Sequence, residues 1–251
     1  MKFAVEKAKK DGIFTVFIGN INTIGPAFVY NNIALKEKMI GITITNSPAQ
    51  MAPTNGKEKL LGTNPLAISI PGNSENPIIY DIATSQVAKS KIKEALLENK
   101  KIPKDWATDE DGNPTDDPQK AINGLVLPMA GYKGYGLSMC IDILSGLISG
   151  SAFLNNVGRF YGSDKCMNIG ATFIAINPEI VLNNSFYEKI DEYIKCLKRS
   201  KRIYPSKEIH IPGENRILNK KIAIIEGIEV QKQTIEDLKK YIKQYNINYE
   251  I

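Results

Sequence analysis

Histidine is almost absent from this chain of 251 residues, in which His210 is the only one. It lies in a short Ile-His-Ile segment before Pro212. Histidine is the side chain most often used for general acid–base catalysis, so its scarcity removes the commonest proton-transfer group. A lone histidine in such a segment is more often structural than catalytic, and we expect no catalytic role for it.

Cysteine is also scarce, and its spacing excludes two kinds of site. Cys140, Cys166 and Cys196 lie far apart, with no C-x-x-C pair and no spacing that suits zinc. The sequence therefore predicts no metal site. An odd and sparse set of cysteines is typical of a reducing compartment, which favours a cytoplasmic protein.

Hydrophobic segments long enough to cross a membrane are missing as well. The longest apolar stretch, residues 137–150, contains Asp142 and is too short to span a bilayer. The opening residues 1–12 are rich in lysine and have no apolar centre, which is unlike a signal peptide. We therefore expect neither a signal peptide nor a membrane partner.

Arginine accounts for only four of the 32 basic residues, and the formal net charge is +5. A lysine excess of this kind could attract phosphates, anionic substrates or nucleic acid. The lysines are, however, spread along the chain, which favours a solvated lysine-rich surface. The sequence has no basic stripe interleaved with aromatic residues, so we expect no nucleic-acid partner.

The short motifs that would assign a function directly are absent too. No G-x-G-x-x-G follows a strand pattern, which leaves a Rossmann dinucleotide site without support. Walker A, H-E-x-x-H and G-x-S-x-G motifs do not occur either. The function must therefore be sought in longer patterns.

Apolar and charged residues are present in ordinary proportions, 43% and 24%, as in soluble globular proteins. Their periodicity predicts alternating helices and strands in the opening third, the pattern of helices packed on a sheet. The predicted strands are 13–18, 40–45, 66–70, 77–82 and 168–176. The predicted helices are 2–11, 26–39, one from Thr84 or Ser85 to about 100, a buried one at 137–147, and two amphipathic ones at 186–197 and 235–245. Residues 101–123 are polar and predict a surface excursion.

Six short strings of loop residues occur in order along nearly the whole chain. They are Thr45-Asn46-Ser47-Pro48, Leu61-Gly62-Thr63-Asn64-Pro65, Asp81-Ile82-Ala83-Thr84-Ser85, Asp109-Glu110-Asp111-Gly112-Asn113-Pro114, Gly131-Tyr132-Lys133-Gly134-Tyr135-Gly136 and Pro212-Gly213-Glu214. Any single string is weak evidence, whereas six in this order are specific. Together they closely resemble the malate/L-lactate dehydrogenase family, which also contains ureidoglycolate, sulfolactate and diketogulonate enzymes.

The resemblance implies a fold, a reaction and an assembly. The fold would be α/β, with three layers and a mixed sheet, non-Rossmann and similar to L-sulfolactate dehydrogenase. Residues 1–180 would form the cofactor-binding domain, and residues 181–251 a helical part that completes a second, truncated domain. The reaction would be hydride transfer between NAD or NADP and a small 2-hydroxy or 2-oxo acid, usually in a homodimer.

The resemblance also implies which residues line the nicotinamide cofactor. By position they are Ser47, Asp81, Ile82, Ala83 and Lys133, together with Gly213 and Glu214. Ser47 and Asp81 lie near strand ends, where open α/β sheets bind their ligands, and an aspartate there could accept from ribose hydroxyls. The glycines beside Lys133 would let backbone N–H groups approach an anion, while the ammonium neutralises pyrophosphate.

Each of these residues also has a purely structural interpretation. Ser47 could be a turn residue before Pro48, Asp81 a helix N-cap, and Lys133 a surface lysine at a glycine-rich helix start. Asp142 lies inside an apolar helix, where a charge is costly unless it is paired. A structural bond to a loop or a lysine fits Asp142 better than catalysis.

Two features depart from the family pattern. The family takes its proton-transfer histidine from an Asn-His-aromatic-Gly pattern, and the matching residues here are Asn22-Thr23-Ile24-Gly25. Asn22 and Thr23 thus occupy the catalytic positions, but a threonine hydroxyl does not titrate near neutral pH. The family's upstream Ser-His-Gly motif and substrate-binding arginine have no counterpart in this sequence.

Two hypotheses follow, and they differ in turnover. The first is a dehydrogenase of this family with impaired activity. The second is a non-catalytic, truncated relative that keeps the fold and cofactor binding. The sequence leaves open the hydroxy acid, the choice between NAD and NADP, and whether Met1 is the true start.

Overall fold

The computed structural model describes residues 1–159, 166–183, 185–230 and 232–249. They divide into two compact units, Met1–Pro212 and Gly213–Ile251. The boundary expected after residue 180 falls inside the first unit. The reason is that the following helix is bonded to earlier parts of that unit, for example through the Tyr187 hydroxyl, which donates to the Lys38 carbonyl at 2.8 Å.

The strands and helices mostly follow the predicted periodicities. The strands are β1 (Ile13–Ile21), β2 (Ile40–Thr45), β3 (Leu66–Ile70), β4 (Ile78–Ile82) and β5 (Ile169–Ile176). The α-helices are α1 (Lys2–Asp11), α2 (Phe28–Lys36), α3 (Lys89–Leu97), α4 (Pro118–Asn123), α5 (Tyr132–Asp142), α6 (Glu179–Leu182), α7 (Ser185–Arg199), α8 (Glu214–Glu226) and α9 (Lys232–Gln244). A π-helical turn, Ile143–Leu147, continues α5.

The five strands form one sheet in the order β1-β5-β2-β3-β4, and all four pairings are antiparallel. The mixed sheet implied by the resemblance is therefore wrong for the described residues. The reason is the position of β5. Strands β1 and β2 run in the same direction, but β5 arrives from much later in the chain, lies between them and runs the opposite way.

Helices cover both faces of this sheet. Helix α1 buries Ala4, Val5 and Ala8 in a cluster with β5 residues such as Phe173, and α2 packs against β2 and β3. On the other face lie α5 and its π-helical turn, so close that a Cβ on Gly170 would overlap the Ser145 carbonyl. The first unit therefore has helices, sheet and helices in three layers.

Helix α5 differs from the predicted helix 137–147 in its start and its burial. It begins at Tyr132, and the apolar Met139, Ile143 and Leu147 are 40%, 45% and 50% exposed. The expectation that this helix is buried on most sides is therefore wrong. The buried residues of α5 are Gly134, Ser138, Ile141 and Asp142.

Residues 51–126 form a second apolar cluster around α3 and α4. The helix predicted from Thr84 or Ser85 begins only at Lys89, because the preceding backbone is used for pairing: Gln86 N–H donates to the Leu127 carbonyl at 2.7 Å. The segment 101–123 is not wholly a surface excursion, since it contains α4 and buries residues such as Ala107.

The second unit consists of α8 and α9, of which the sequence predicted α9. None of the described side chains of these two helices is buried. Among the described residues, no helix is both long and apolar enough to cross a membrane.

Candidate active site

Three of the predicted site segments leave the sheet at the same end. Strands β1, β2 and β4 run in one direction, and their last residues pair with the first residues of β5 and β3. Asn22 and Thr23 follow β1, Ser47 follows β2, and Ala83 follows β4. With neighbouring strands about 4.8 Å apart, the ends of β1 and β4 are roughly 19 Å apart, and β2 ends between them.

The segment that contains Thr23 crosses this end of the sheet. Asn22 Oδ1 accepts from Met167 N–H at 3.2 Å, beside β5. The exposed Thr23 hydroxyl accepts from Gly25 N–H at 3.2 Å, a local turn. The segment then enters α2, where Phe28 N–H lies 3.4 Å from Asp81 Oδ2 on β4. The structure therefore brings the two ends of this segment to opposite edges of the sheet.

Asp81 lies at the first turn of α2, and its carboxylate accepts from the Phe28 N–H there. A carboxylate at a helix N-terminus is favoured by the helix dipole and by the free N–H groups. This contact agrees with the structural interpretation of Asp81 as a capping residue. Ile82 is the last residue of β4 and Ala83 follows it, and both are partly buried.

Ser47 is held at the end of β2 by a buried asparagine. Its N–H donates to Asn64 Oδ1 at 3.0 Å, and its hydroxyl lies 3.4 Å from the same oxygen. Asn64 Nδ2 in turn donates to the Ser138 carbonyl of α5 at 2.9 Å. The position of Ser47 is therefore fixed relative to α5.

A second buried asparagine ties the same strand end to three further segments. Asn46 Nδ2 donates to Asp142 Oδ1 at 2.9 Å and to the Ala152 carbonyl at 2.8 Å, while its Oδ1 accepts from Gly170 N–H at 2.9 Å. Asp142 also accepts from Leu154 N–H at 2.9 Å. Asp142 thus bonds a loop, as its structural interpretation predicted, and both of its oxygens are used.

Lys133 lies in the first turn of α5 and its side chain is exposed. The chain enters this helix through Ala130 and Gly131, with φ angles of 49° and 62°. Gly131 supplies no side-chain cap, and a Cβ there would meet nothing within 4 Å. Met129 N–H donates to the Thr84 carbonyl at 3.0 Å, which joins the start of α5 to the segment that follows Ala83.

These residues fit the groups of a nicotinamide dinucleotide. The uncapped start of α5, with Lys133 in its first turn, suits an anionic pyrophosphate. Thr84 has a fully buried hydroxyl with no hydrogen-bond partner in the described part of the chain, directly after Ala83. A buried polar atom of this kind is costly unless it is satisfied, and a ligand hydroxyl would satisfy it.

A cavity of about 670 Å³ opens beside the start of α5. Ala130, Gly131 and Tyr132 form one wall, and residues 52–57 form another. The cavity therefore offers ligand space next to the start of α5, and neither Ser47 nor Asp81 is among the residues that line it.

Gly213 and Glu214 open α8 in the second unit. Gly213 has a φ of 102°, which glycine adopts without strain, and Glu214 lies in the first turn of the helix. Their part in a cofactor site stays a prediction. No group of three or more potential metal ligands (His, Cys, Asp or Glu) occurs among the residues that the structure describes.

A family model for malate/L-lactate dehydrogenase matches residues 1–239 of this chain. The chain belongs to the malate/L-lactate dehydrogenase family. Its named relatives are dehydrogenases, so members of this family are oxidoreductases.

Two relatives in this family are similar over nearly the whole chain. The malate/(S)-sulfolactate dehydrogenase of Methanothermus fervidus is 40% identical over 248 residues, which cover 98% of this chain and 71% of the relative. The ureidoglycolate dehydrogenase of Escherichia coli strain K12 is 32% identical over 257 residues, covering 100% of this chain and 71% of that protein.

Solved structures of the family share the fold. The sulfolactate dehydrogenase of Methanocaldococcus jannaschii superimposes with a TM-score of 0.90 at 41% identity, covering 98% of this chain and 71% of that chain. The malate dehydrogenase of Entamoeba histolytica gives a TM-score of 0.92 at 30% identity, covering 100% and 73%.

The sequence analysis missed the residues that hold the site together. In the sequence Asn46 and Asn64 stand out only as parts of the loop strings, and Thr84 only as part of a string and as a candidate helix N-cap. Their common signal is a short polar residue directly beside a strand end. That signal does not tell whether the side chain faces solvent or the interior, which depends on α5 lying against the sheet.

Proposed function

We propose that this chain binds NAD(H) or NADP(H) and exchanges hydride with a small 2-hydroxy or 2-oxo acid. The observation that carries the proposal is the meeting of β2, β4 and the start of α5 at one end of the sheet, in a member of the malate/L-lactate dehydrogenase family. The malate and sulfolactate activities named for the relatives make these acids the first substrates to test. The absence of a Rossmann fingerprint and the antiparallel sheet support a non-Rossmann cofactor site.

The cofactor, when bound, supplies the hydride chemistry, and the protein supplies orientation and proton transfer. In this proposal Lys133 and the first-turn N–H groups of α5 neutralise and orient the pyrophosphate. The Thr84 hydroxyl and the backbone of Ala83 position a ribose. Asn64 and Asn46 are positioning residues, because they hold Ser47 and the end of β2 against α5.

Proton transfer is the weak point of the site. Thr23 occupies the position at which the family pattern has histidine, and its hydroxyl oxygen accepts from Gly25 N–H. Its hydroxyl can orient a water or a substrate oxygen, but it does not titrate near neutral pH. Loss of a positioned acid–base group lowers rates by about 10²–10⁴. We therefore expect slow turnover. The alternative, a chain that binds the cofactor but has no turnover, differs from this proposal only in the extent of the loss.

The experiment that tests the proposal is a fluorescence titration of the full chain with NADH and NADPH. Saturable binding of at least one is expected, and Lys133→Ala should weaken it by roughly tenfold, the effect of losing one charge-assisted contact. Lys10→Ala removes an exposed lysine of α1 and serves as the matched control. Binding by Lys133→Ala equal to that of the parent would remove Lys133 from the site.

Steady-state assays with oxaloacetate and pyruvate then test turnover. Slow oxidation of the reduced cofactor is expected, and fast oxidation at saturating substrate would show that proton transfer does not depend on a histidine at residue 23. The homodimer and the cytoplasmic location stay predictions, and sedimentation analysis would test the first.

A further inference from the structure

An apolar surface lies on the outer side of α5 and its π-helical turn. Seven large apolar side chains on it are between 39% and 50% exposed. They are Phe17, Met139, Ile143, Leu144, Leu147, Ile148 and Phe153. These seven side chains form the α5 surface. The described part of the chain leaves about half of each of them in contact with water, which is unfavourable for apolar groups.

Two contacts show that these side chains are neighbours. Ile143 and Phe153 line the same groove, an apolar cavity of about 330 Å³. On the other side of the helix, the Thr172 hydroxyl of β5 donates to the Leu144 carbonyl. Phe17 on β1 is the residue that pairs with Thr172, and residues paired across an antiparallel ladder point to the same face of the sheet. Phe17 therefore lies on the face that carries Leu144.

The α5 surface has no charge, although the chain as a whole is highly charged. Residues 134–158 contain one charged residue, Asp142, whereas 24% of all residues are charged. Asp142 is buried, and its two oxygens accept from the Asn46 side chain and from Leu154 N–H. Depletion of charge at the centre is the composition that distinguishes protein interfaces, and homodimer interfaces are the more apolar ones.

The area of the α5 surface is close to what a dimer needs. A fully exposed side chain of this kind presents roughly 150–200 Å², so seven that are about half exposed present on the order of 600 Å². Monomeric soluble proteins rarely expose more than a few hundred Å² of contiguous apolar surface. A standard interface buries about 800 Å² on each partner, part of it polar. The α5 surface is therefore large enough for the centre of such an interface.

We propose that the α5 surface is the interface between two copies of this chain. A two-fold interface requires a surface that is complementary to itself. The α5 surface has both a groove, lined by Ile143 and Phe153, and side chains beside the groove, Leu144 and Ile148, which project into solvent. In a two-fold dimer the projecting side chains of each copy fill the groove of the other.

This interface assigns a surface to the homodimer that the family resemblance implies. It lies on the outer side of the helix whose inner side holds Asn64 and Asn46 at the end of β2. The assignment does not depend on the proposed function, because association is measured without cofactor or substrate.

Sedimentation velocity of the full chain over a wide range of protein concentrations tests the proposal. The parent is expected to sediment as a dimer of two 27.8 kDa chains. Leu147→Glu places a carboxylate in the interface, and two-fold symmetry buries it twice. The dissociation constant of the dimer should therefore rise by about 100-fold or more. Leu97→Glu makes the same change at an exposed leucine of α3 and should leave the dimer intact. Circular dichroism checks that each variant folds.

A second measurement, on the parent alone, covers the case in which Leu147→Glu does not fold. Cys140 is exposed on α5, one turn before Leu144, whereas Cys196 is exposed on α7. Alkylation of Cys140 should become slower as the protein concentration rises, because a second copy covers it. Alkylation of Cys196 should not change. Mass spectrometry measures both rates in one sample.

A dimeric parent, a dimeric Leu97→Glu variant and a folded, monomeric Leu147→Glu variant support the proposal. A parent that is monomeric at every concentration overturns it, and so does a folded Leu147→Glu variant that dimerises like the parent. Dissociation by Ile225→Glu on α8, but not by Leu147→Glu, would place the contact in the second unit and also overturn it. Where Leu147→Glu does not fold, protection of Cys140 that grows with concentration supports the proposal, and a constant rate of alkylation overturns it.

Discussion

At the scale of single residues, Thr23 is the side chain that we expect to limit turnover if the proposed function holds. Replacing it by histidine restores a group that titrates near neutral pH at the end of β1. We expect Thr23→His to raise kcat with a 2-oxo acid by about 100-fold or more, the usual effect of a positioned acid–base group. Steady-state rates of NADH or NADPH oxidation measure the change.

The control for this prediction is Thr23→Gln, which is similar in size to histidine but does not titrate. It should leave kcat at the level of the parent. A histidine variant no faster than the glutamine variant would show that proton transfer is not what limits the reaction. The expected gain in kcat should also depend on pH between about 5 and 8, because the new imidazole ionises in that range.

Lys89 is a lysine whose amine has an unusually low pKa. Burial, and then the charges of Lys59, Lys93 and Arg159, lower the pKa of its amine to about 8 from the model-compound value of 10.5. At pH 7.5 about a quarter of Lys89 would be neutral, compared with about 0.1% of an ordinary lysine. We expect Lys89 to be acylated by acetic anhydride with a midpoint near pH 8.

Competitive labelling followed by mass spectrometry measures this midpoint for each lysine in one experiment. Exposed Lys91 on the same helix is the internal reference. Because the folded chain disfavours the charged form of Lys89, its contribution to stability is unfavourable below pH 8 and is relieved as the pH rises through 8. A Lys89 midpoint equal to that of Lys91 would contradict the desolvated, cation-rich surroundings described here.

At the scale of elements, Asp191 fastens α7 to the turn between β3 and β4. Its carboxylate accepts from the backbone N–H groups of residues 73–75 and from the Ser74 hydroxyl at 2.6 Å. Burial raises the pKa of Asp191, but these hydrogen bonds outweigh it and lower the pKa to about 2 from 3.8. A difference of this size corresponds to about 2.5 kcal/mol.

We expect Asp191→Asn to lower the free energy of unfolding by about 2 kcal/mol at neutral pH, because a neutral amide offers one acceptor oxygen and no charge. Urea denaturation at pH 7 and pH 3 measures it. The lowered pKa of Asp191 stabilises the fold above about pH 4, and this stabilisation is lost as the pH falls toward 2. The difference in unfolding free energy between the variant and the parent should therefore shrink at pH 3. Exposed Glu192 supplies the control, Glu192→Gln. A constant difference at both pH values would assign the loss to packing.

The helices around the sheet show how element boundaries depend on their surroundings. The apolar period of residues 137–147 predicted a helix, and a helix is there, but it begins at Tyr132, where Ala130 and Gly131 turn the chain. Conversely, Thr84 and Ser85 have the composition of an N-cap, yet their backbone pairs with residues 128–129. Backbone groups used in pairing cannot begin a helix, and the partner segment is about 45 residues further along the chain.

At the scale of the whole molecule, the two units differ in how much they bury. Strands β2 and β5 lie in the middle of the sheet and are mostly buried, whereas no described side chain of α8 or α9 is buried. Hydrogen bonds in solvent-exposed helices open more easily than those of a packed core. We expect amides of β2 and β5 to exchange at least 100-fold more slowly than those of α8 and α9, as about 3 kcal/mol of added local stability implies.

Hydrogen–deuterium exchange of the full chain, read by mass spectrometry, checks this prediction, and α1 provides a packed helix for comparison. Protection of α8 and α9 equal to that of α1 would mean that another copy of the chain or a ligand covers them. Repeating the exchange at two protein concentrations would separate these causes, since self-association depends on concentration and ligand binding by a purified chain does not.

The sequence by itself determined the family, most strands and helices, and the position of Ser47, Asp81 and Ala83 at strand ends. These features depend on local periodicity and on short strings of residues, which neighbours in the chain specify. The tertiary structure decided the rest. Strand β5 inserts between β1 and β2 and makes the sheet antiparallel, which no local pattern encodes because the pairing joins segments more than 100 residues apart.

The same reason explains the residues that sequence reasoning passed over. Asn46, Asn64 and Asp142 became a connected network only because α5 packs on the sheet beside the end of β2. The Lys89 amine likewise donates to the side chain of Gln50, which lies 39 residues earlier in the chain. Charge and polarity are visible in a sequence, but whether such side chains share one small volume is settled by packing, which brings together residues that the chain keeps apart.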